Sequence, residues 1–173
     1  IKNWVKDGYE VHFLLPEREY LIIKEELKGA VFYVVRDLIN SESESLINIL
    51  PIYLMRTLTA SFYYIFKMPR DFGLIYSPSD FLTDLIPAVL AKLRSKDSRL
   101  SVCFFLISPN PFVGYRNAFK NKRNSMPSLR GVIYFISQRF SLFLSKLFAD
   151  YILVLNNRDK EMLSQRFNPS LIK

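Results

Sequence analysis

The feature that most constrains this chain is a recurrence of short apolar runs rich in β-branched and aromatic residues. They stand at Val11 to Leu15, Val31 to Val35, Phe72 to Tyr76, Ser101 to Ile107 and Tyr151 to Leu155. None alternates strictly between apolar and polar. Strands covered on both faces look like this, which favours a parallel sheet over a half-solvated antiparallel one. The gaps carry helical patterns: the end of a helix at Trp4 to Lys6 stopped by Gly8, then Arg18 to Leu27, Glu44 to Phe66, Asp80 to Arg94, Leu129 to Phe148 and Arg158 to Phe167. Strands alternating with helices imply βαβ units, and so an α/β fold with a doubly wound, mostly parallel sheet and helices on both faces.

The helix beginning near Ser79 has the clearest start, because Ser79-Asp80-Phe81-Leu82-Thr83-Asp84 places capping oxygens before an apolar face and acids in the first turn. Leu82, Leu85, Ile86, Val89, Leu90 and Leu93 then recur at three and four, a stripe expected to bury against the sheet. Residues 109–128 differ: Pro109, Pro111, Gly114, Asn117, Asn121, Asn124 and Pro127 break structure. Arg116, Lys120, Lys122 and Arg123 bring charge without one acid, so a long basic loop is expected, with the solvated loop as its bland reading and contact to a membrane or to phosphates as its functional one.

Scarcity excludes several chemistries. One Cys (Cys103) and one His (His12) cannot build a Cys/His zinc site or an internal disulfide, so no metal is expected and the compartment is expected to be reducing. Gly8, Gly29, Gly73, Gly114 and Gly131 are too far apart for a GxGxxG fingerprint or a phosphate-binding GxxxxGK[ST] loop. No GxSxG nucleophile turn is present, and His12, inside a strand, reads as structural. A length of 173 residues suits one domain, 1–173. The chain begins at Ile1 in a helix-like stretch, which suggests a segment of something longer.

With 24 basic against 16 acidic residues, a net charge of +8 and an aromatic content of 15%, anionic partners are expected. Between Ser45 and Phe66 the only charge is Arg56. A central Arg costs about 2.5 to 3.5 kcal/mol on insertion scales, which with Pro51, Asn48, Thr57, Thr59 and Ser61 argues against a spanning helix. Two readings remain: a helix packed on the sheet, or one lying in a membrane interface with Tyr53, Phe62, Tyr63, Tyr64 and Phe66 at headgroup depth. The helix Gly131 to Phe148, with Tyr134, Phe135, Phe140, Phe143 and Phe148 punctuated by Arg139 and Lys146, follows the basic loop and points to a peripheral membrane surface. Nucleic acid is not expected, because the aromatics lie in apolar helices rather than among the bases.

Ligands of open parallel sheets bind beyond the carboxyl ends of the strands. Three such ends are polar: Ser77-Pro78-Ser79-Asp80, Ser108-Pro109-Asn110-Pro111 and Asn156-Asn157-Arg158-Asp159. Hydroxyls, amides and a carboxylate there suit recognition of a polyhydroxy compound. Ser77, Ser79, Asp80, Ser108, Asn110 and Asn156 are the acceptor-binding candidates, with a helix-start role as the bland reading of Asp80.

Together these stretches resemble the amino-terminal Rossmann-like domain of GT-B glycosyltransferases, in particular the large retaining family four. Trp4-Val5-Lys6-Asp7-Gly8-Tyr9-Glu10-Val11-His12 looks like that family's first helix, Gly-His-Glu-Val turn and second strand. Leu74-Ile75-Tyr76-Ser77-Pro78-Ser79-Asp80-Phe81-Leu82-Thr83-Asp84-Leu85-Ile86-Pro87-Ala88 resembles the strand and helix lining its acceptor cleft. Ile133-Tyr134-Phe135-Ile136-Ser137-Gln138, with Ala149-Asp150-Tyr151-Ile152-Leu153-Val154-Leu155-Asn156, is similar to a later helix and strand, and the resemblance covers nearly all of the chain.

The resemblance implies a sheet ordered 3-2-1-4-5-6. The family's first strand and its glycine-rich loop would precede Ile1, and the carboxy-terminal nucleotide-sugar domain would follow residue 173. Where the family places a His near the transferred sugar, this chain reads Leu106-Ile107-Ser108-Pro109-Asn110, so no catalytic residue carries over. The implied activity is that of the acceptor-binding half of a retaining glycosyltransferase (hexosyltransferase type), inactive alone, acting on a lipid-linked or polysaccharide acceptor at the cytoplasmic face of a membrane. No cofactor is implied in this segment; the nucleotide-sugar donor and the donor-binding domain belong to the full-length protein. The alternative is a noncatalytic, membrane-associated Rossmann-like binding module.

Overall fold

A computed structural model describes residues 2–35, 46–108, 110 and 129–173. They form a mixed α/β structure of short parallel sheets and helices, in two compact units, Ile1–Met68 and Pro69–Lys173.

In the first unit, α1 (Lys2–Lys6) ends as expected at Gly8, which holds φ +84°. Gly8 N donates to Val5 O (3.2 Å) and Tyr9 N to Trp4 O (3.0 Å), a pair of closing bonds that needs a left-handed residue at this position, and glycine adopts it without a Cβ clash. β1 (His12–Pro16) and β2 (Val31–Val35) pair in parallel, from His12 opposite Val31 to Pro16 opposite Val35. The crossover holds α2 (Glu17–Ile23) and closes at Gly29, whose φ of +96° and approach to Val5 Cγ1 leave little room for a side chain. α3 (Leu46–Phe66) follows, and Tyr63 Oη donates to Val34 O of β2 at 3.3 Å. The polarity noted along this helix is largely satisfied within it: Thr57, Thr59 and Ser61 hydroxyls donate to the carbonyls of Tyr53, Met55 and Thr57. His12 sits in β1, its Nε2 3.0 Å from Glu10 Oε1 and its ring stacked on Tyr33.

The second unit is a sheet ordered β3-β4-β5, all parallel. Its elements are β3 (Leu74–Ser77), α4 (Leu82–Arg94), β4 (Arg99–Phe104), α5 (Leu129–Phe148), β5 (Tyr151–Val154), α6 (Asn157–Ser164) and a 3-10 turn at Pro169–Leu171. β4 is central and buried from Leu100 to Phe104, which is why its run lacks alternation. Ile75, Leu85, Ala88, Leu100, Val102, Phe104, Ile152 and Leu163 form the core. Ile172 makes a parallel bridge with Ile152, so the end of the chain extends the sheet beyond β5. At the amino-terminal edge, Asp150 Oδ2 accepts from Lys92 Nζ (2.9 Å) and from Leu100 N (2.7 Å), and Lys92 also donates to Ser98 O. Burial pushes the Asp150 carboxyl up, but those two hydrogen bonds and the charges of Lys92 and Arg99 outweigh it and hold it below the usual carboxylate range.

The strands pair in parallel as two short sheets, β1-β2 in one unit and β3-β4-β5 in the other. Two expectations about α4 need correction. α4 starts at Leu82 and not near Ser79: its N-cap is Phe81, with no side-chain cap, because Ser79 Oγ accepts from Phe81 N and donates to Asp84 Oδ2. Asp80 therefore precedes the helix. The buried face of α4 holds Leu85, Pro87, Ala88, Val89 and Ala91, whereas Leu93, at the end of the expected stripe, is exposed. Among the described residues, no helix is long and apolar enough to cross a membrane.

Candidate functional site

β3 and β4 are parallel, so their carboxyl ends lie at one edge of the sheet, and α5 supplies the side chains that join the loops leaving them. Ser77 closes β3 and its Oγ donates to Ser79 O at 2.8 Å. Ser79 Oγ donates to Asp84 Oδ2 at 2.5 Å, which braces the loop against the first turn of α4. Asp80 and Gln138 are each 3% exposed, and Gln138 Nε2 donates to Asp80 Oδ2 at 2.7 Å. The same amide donates to Leu106 O (2.7 Å), and Gln138 Oε1 accepts from Ser108 N (2.6 Å). Tyr134 Oη is a longer third neighbour of Nε2 at 3.3 Å. Ser141 Oγ, one turn further along α5, donates to Asp80 O at 2.6 Å.

Gln138 is thus a hub: its donors reach one loop's carboxylate and the other loop's carbonyl, while its acceptor takes the amide of Ser108. An amide side chain can do this because it donates two hydrogens and accepts at one oxygen. Burial lifts the Asp80 carboxyl above the ordinary range, opposed by the hydrogen bonds from Gln138 and the backbone and assisted by the charge of Asp84. Burial also lifts the Cys103 thiol and the Tyr76 phenol. A buried carboxyl hydrogen-bonded in this way to the facing helix holds the loops in place.

Four of the six acceptor-binding candidates, Ser77, Ser79, Asp80 and Ser108, fall in this buried network. Asn110 is exposed. Asn156 stands just beyond the carboxyl end of β5, at the same edge of the sheet but outside this network, as the N-cap of α6: its Oδ1 accepts from Asp159 N and its Nδ2 donates to Asp159 Oδ2, both at 2.8 Å. Arg116, Lys120, Lys122 and Arg123 lie outside the described residues. What the edge presents outward is Phe81, Phe105 and Leu106, each exposed, with Phe81 braced on Tyr134 at a ring separation of 5.6 Å.

Gln138, Ser141 and Tyr134 were not singled out from the sequence as site residues. The available signal was a polar pair at i and i+3, Gln138 and Ser141, inside an otherwise apolar helix. Among the described residues, no group of three or more His, Cys, Asp or Glu side chains could hold a metal ion. Compared with protein-family models, with curated proteins and with solved structures, the chain matches none.

Proposed function

We propose that this chain is the acceptor-binding half of a retaining glycosyltransferase, transferring a sugar from a nucleotide-sugar donor to a lipid-linked or polysaccharide acceptor at the cytoplasmic face of a membrane. The observation that carries the reading is the carboxyl edge of β3 and β4: two loops locked by Gln138 beneath exposed Phe81, Phe105 and Leu106. Aromatic rings give a sugar ring or an acyl chain a flat apolar surface, and a polar base fixed before binding lowers the entropic cost of ordering that surface. The motif resemblance of Leu74 to Ala88 to an acceptor cleft supports the same assignment.

In such a transfer the bond from the anomeric carbon to the donor phosphate breaks, a bond to the acceptor hydroxyl oxygen forms, and the hydroxyl proton leaves. The departing diphosphate carries the developing charge and needs positive groups, assigned here to a separate donor-binding domain. The chain's own contribution is to bind and orient the acceptor. A doubly wound Rossmann-like arrangement of its strands belongs to the same proposal.

The test is backbone NMR of the chain titrated with soluble polysaccharides and with lipid-linked sugars in nanodiscs. The expected result is shift changes at residues 77–81 and 105–110. No response there to any acceptor overturns the reading, as does labelled-sugar transfer by the chain alone. The noncatalytic membrane-associated module remains the second reading, favoured by the internal satisfaction of Asp80 and its neighbours. It predicts that lipid binding occurs and sugar binding does not.

A further inference from the structure

The polarity of α5 is reversed with respect to its burial. Its buried residues are Gln138, Ser141, Leu142 and Ser145, three of the four polar. Its outward residues are Leu129, Ile136, Phe140, Phe143 and Leu147, between 47% and 64% exposed. At about 100° per residue these five fall within roughly 60° of arc, along roughly 27 Å of helix. α3 differs: its exposed Leu50, Leu54, Leu58, Phe62 and Phe66 advance by four each time and wind through about 160°. α5 has one narrow outward apolar stripe, whereas the exposed apolar residues of α3, Tyr53 and Met55 among them, spread over more than half of its circumference.

The charge around that face is one-sided. Arg130 stands on one flank and Arg139 and Lys146 on the other, while no Asp or Glu occurs from Leu129 to Phe148. The Arg139 guanidinium lies over the Phe135 ring at 4.5 Å, so its stem and the ring form a single amphipathic surface. Pairing this face with itself in a second copy would set arginines and lysines together without a carboxylate on either helix to receive them. A sheet of anionic headgroups above an acyl layer satisfies both parts at once, taking the apolar stripe into the acyl boundary and the basic flanks at headgroup level.

We propose that α5 lies in the plane of an anionic membrane interface with Leu129, Ile136, Phe140, Phe143 and Leu147 inserted. This rests on the membrane location in the reading above and specifies the surface that achieves it. The carboxyl edge carrying Phe81 is tied through Gln138 to the opposite, buried face of the same helix, so insertion of α5 holds that edge about one helix diameter from the lipid.

Flotation of the chain with vesicles of phosphatidylcholine alone, and with about 30% phosphatidylglycerol, tests the proposal. The variants are the pair Phe140→Ser and Phe143→Ser, the single Lys146→Glu, and the α3 pair Leu54→Ser and Leu58→Ser; all sites are exposed, and circular dichroism confirms folding. Binding to the anionic vesicles only, weakened roughly tenfold or more by the α5 pair, weakened severalfold by Lys146→Glu and little changed by the α3 pair, is the expected result. If the wild-type chain binds neither vesicle, both this assignment and the membrane location fail, while the sugar-binding test stands apart. If it binds but the α5 pair binds equally, or the α3 pair loses more, this assignment alone is overturned. So it is if light scattering shows a dimer that the α5 pair converts to monomer.

Discussion

Replacing Gln138 with Leu removes the hub that joins the two loops and keeps nearly the same volume. In the folded chain Ser108 N loses its acceptor in a buried position, and a buried amide without a partner costs about 1–3 kcal/mol. Asp80 loses a hydrogen bond to a carboxylate, worth about 1.5–3 kcal/mol, and the added apolar burial of Leu returns about 1 kcal/mol. The net expectation is a loss of about 3 kcal/mol in urea unfolding at pH 7 followed by circular dichroism. The loss depends on pH. Asp80 already has a folded pKa above its unfolded one, so its burial is least costly when it is protonated; without Gln138 its carboxyl rises further. The variant should therefore recover part of the lost stability as pH falls from 7 toward 4. Hydrogen exchange adds a local readout, since the Ser108 amide should lose protection in excess of its neighbours in β4. A loss under about 1 kcal/mol, a pH-independent difference, or unchanged Ser108 exchange would refute the hub.

Other outcomes follow from single contacts. Asp150 has a depressed folded pKa, so its contribution is present above the ordinary carboxylate range and disappears as pH falls through the folded value. Asp150→Asn should cost roughly 1 kcal/mol at pH 7, discounted for its partial exposure, with no difference near pH 2; an equal cost at both pH values excludes the ion pair with Lys92. Ser145 Oγ is buried without a hydrogen-bond partner among the described residues, so Ser145→Ala should raise stability by about 1 kcal/mol, and a drop in melting temperature counts against that. Asn156→Ala removes both capping bonds to Asp159 and should cost about 1 kcal/mol, whereas Asn156→Asp, which keeps an acceptor, should cost less; equal losses contradict a capping role.

Much of the local structure is legible in the residues. The five strands stand where apolar, β-branched runs predict them, because buried parallel strands require such runs and the requirement is local. The end of α1 is equally legible, since only glycine takes φ +84° without penalty. Where long-range partners compete, legibility stops. Ser79 and Asp80 read as the opening of a helix, yet Asp80 is held by a glutamine 58 residues away and Ser79 by Asp84, and the helix begins at Leu82. The periodicity of α5 separates an apolar from a polar face without saying which is inside. Ordinary patterning would bury the apolar one; the tertiary structure turns Gln138 and Ser141 inward because two loops at the sheet edge need their buried backbone and carboxylate groups satisfied. Strand pairing is likewise a tertiary decision. Which segment hydrogen-bonds to which is settled between residues far apart in sequence, so one α/β pattern yields β1-β2 and β3-β4-β5 as two sheets.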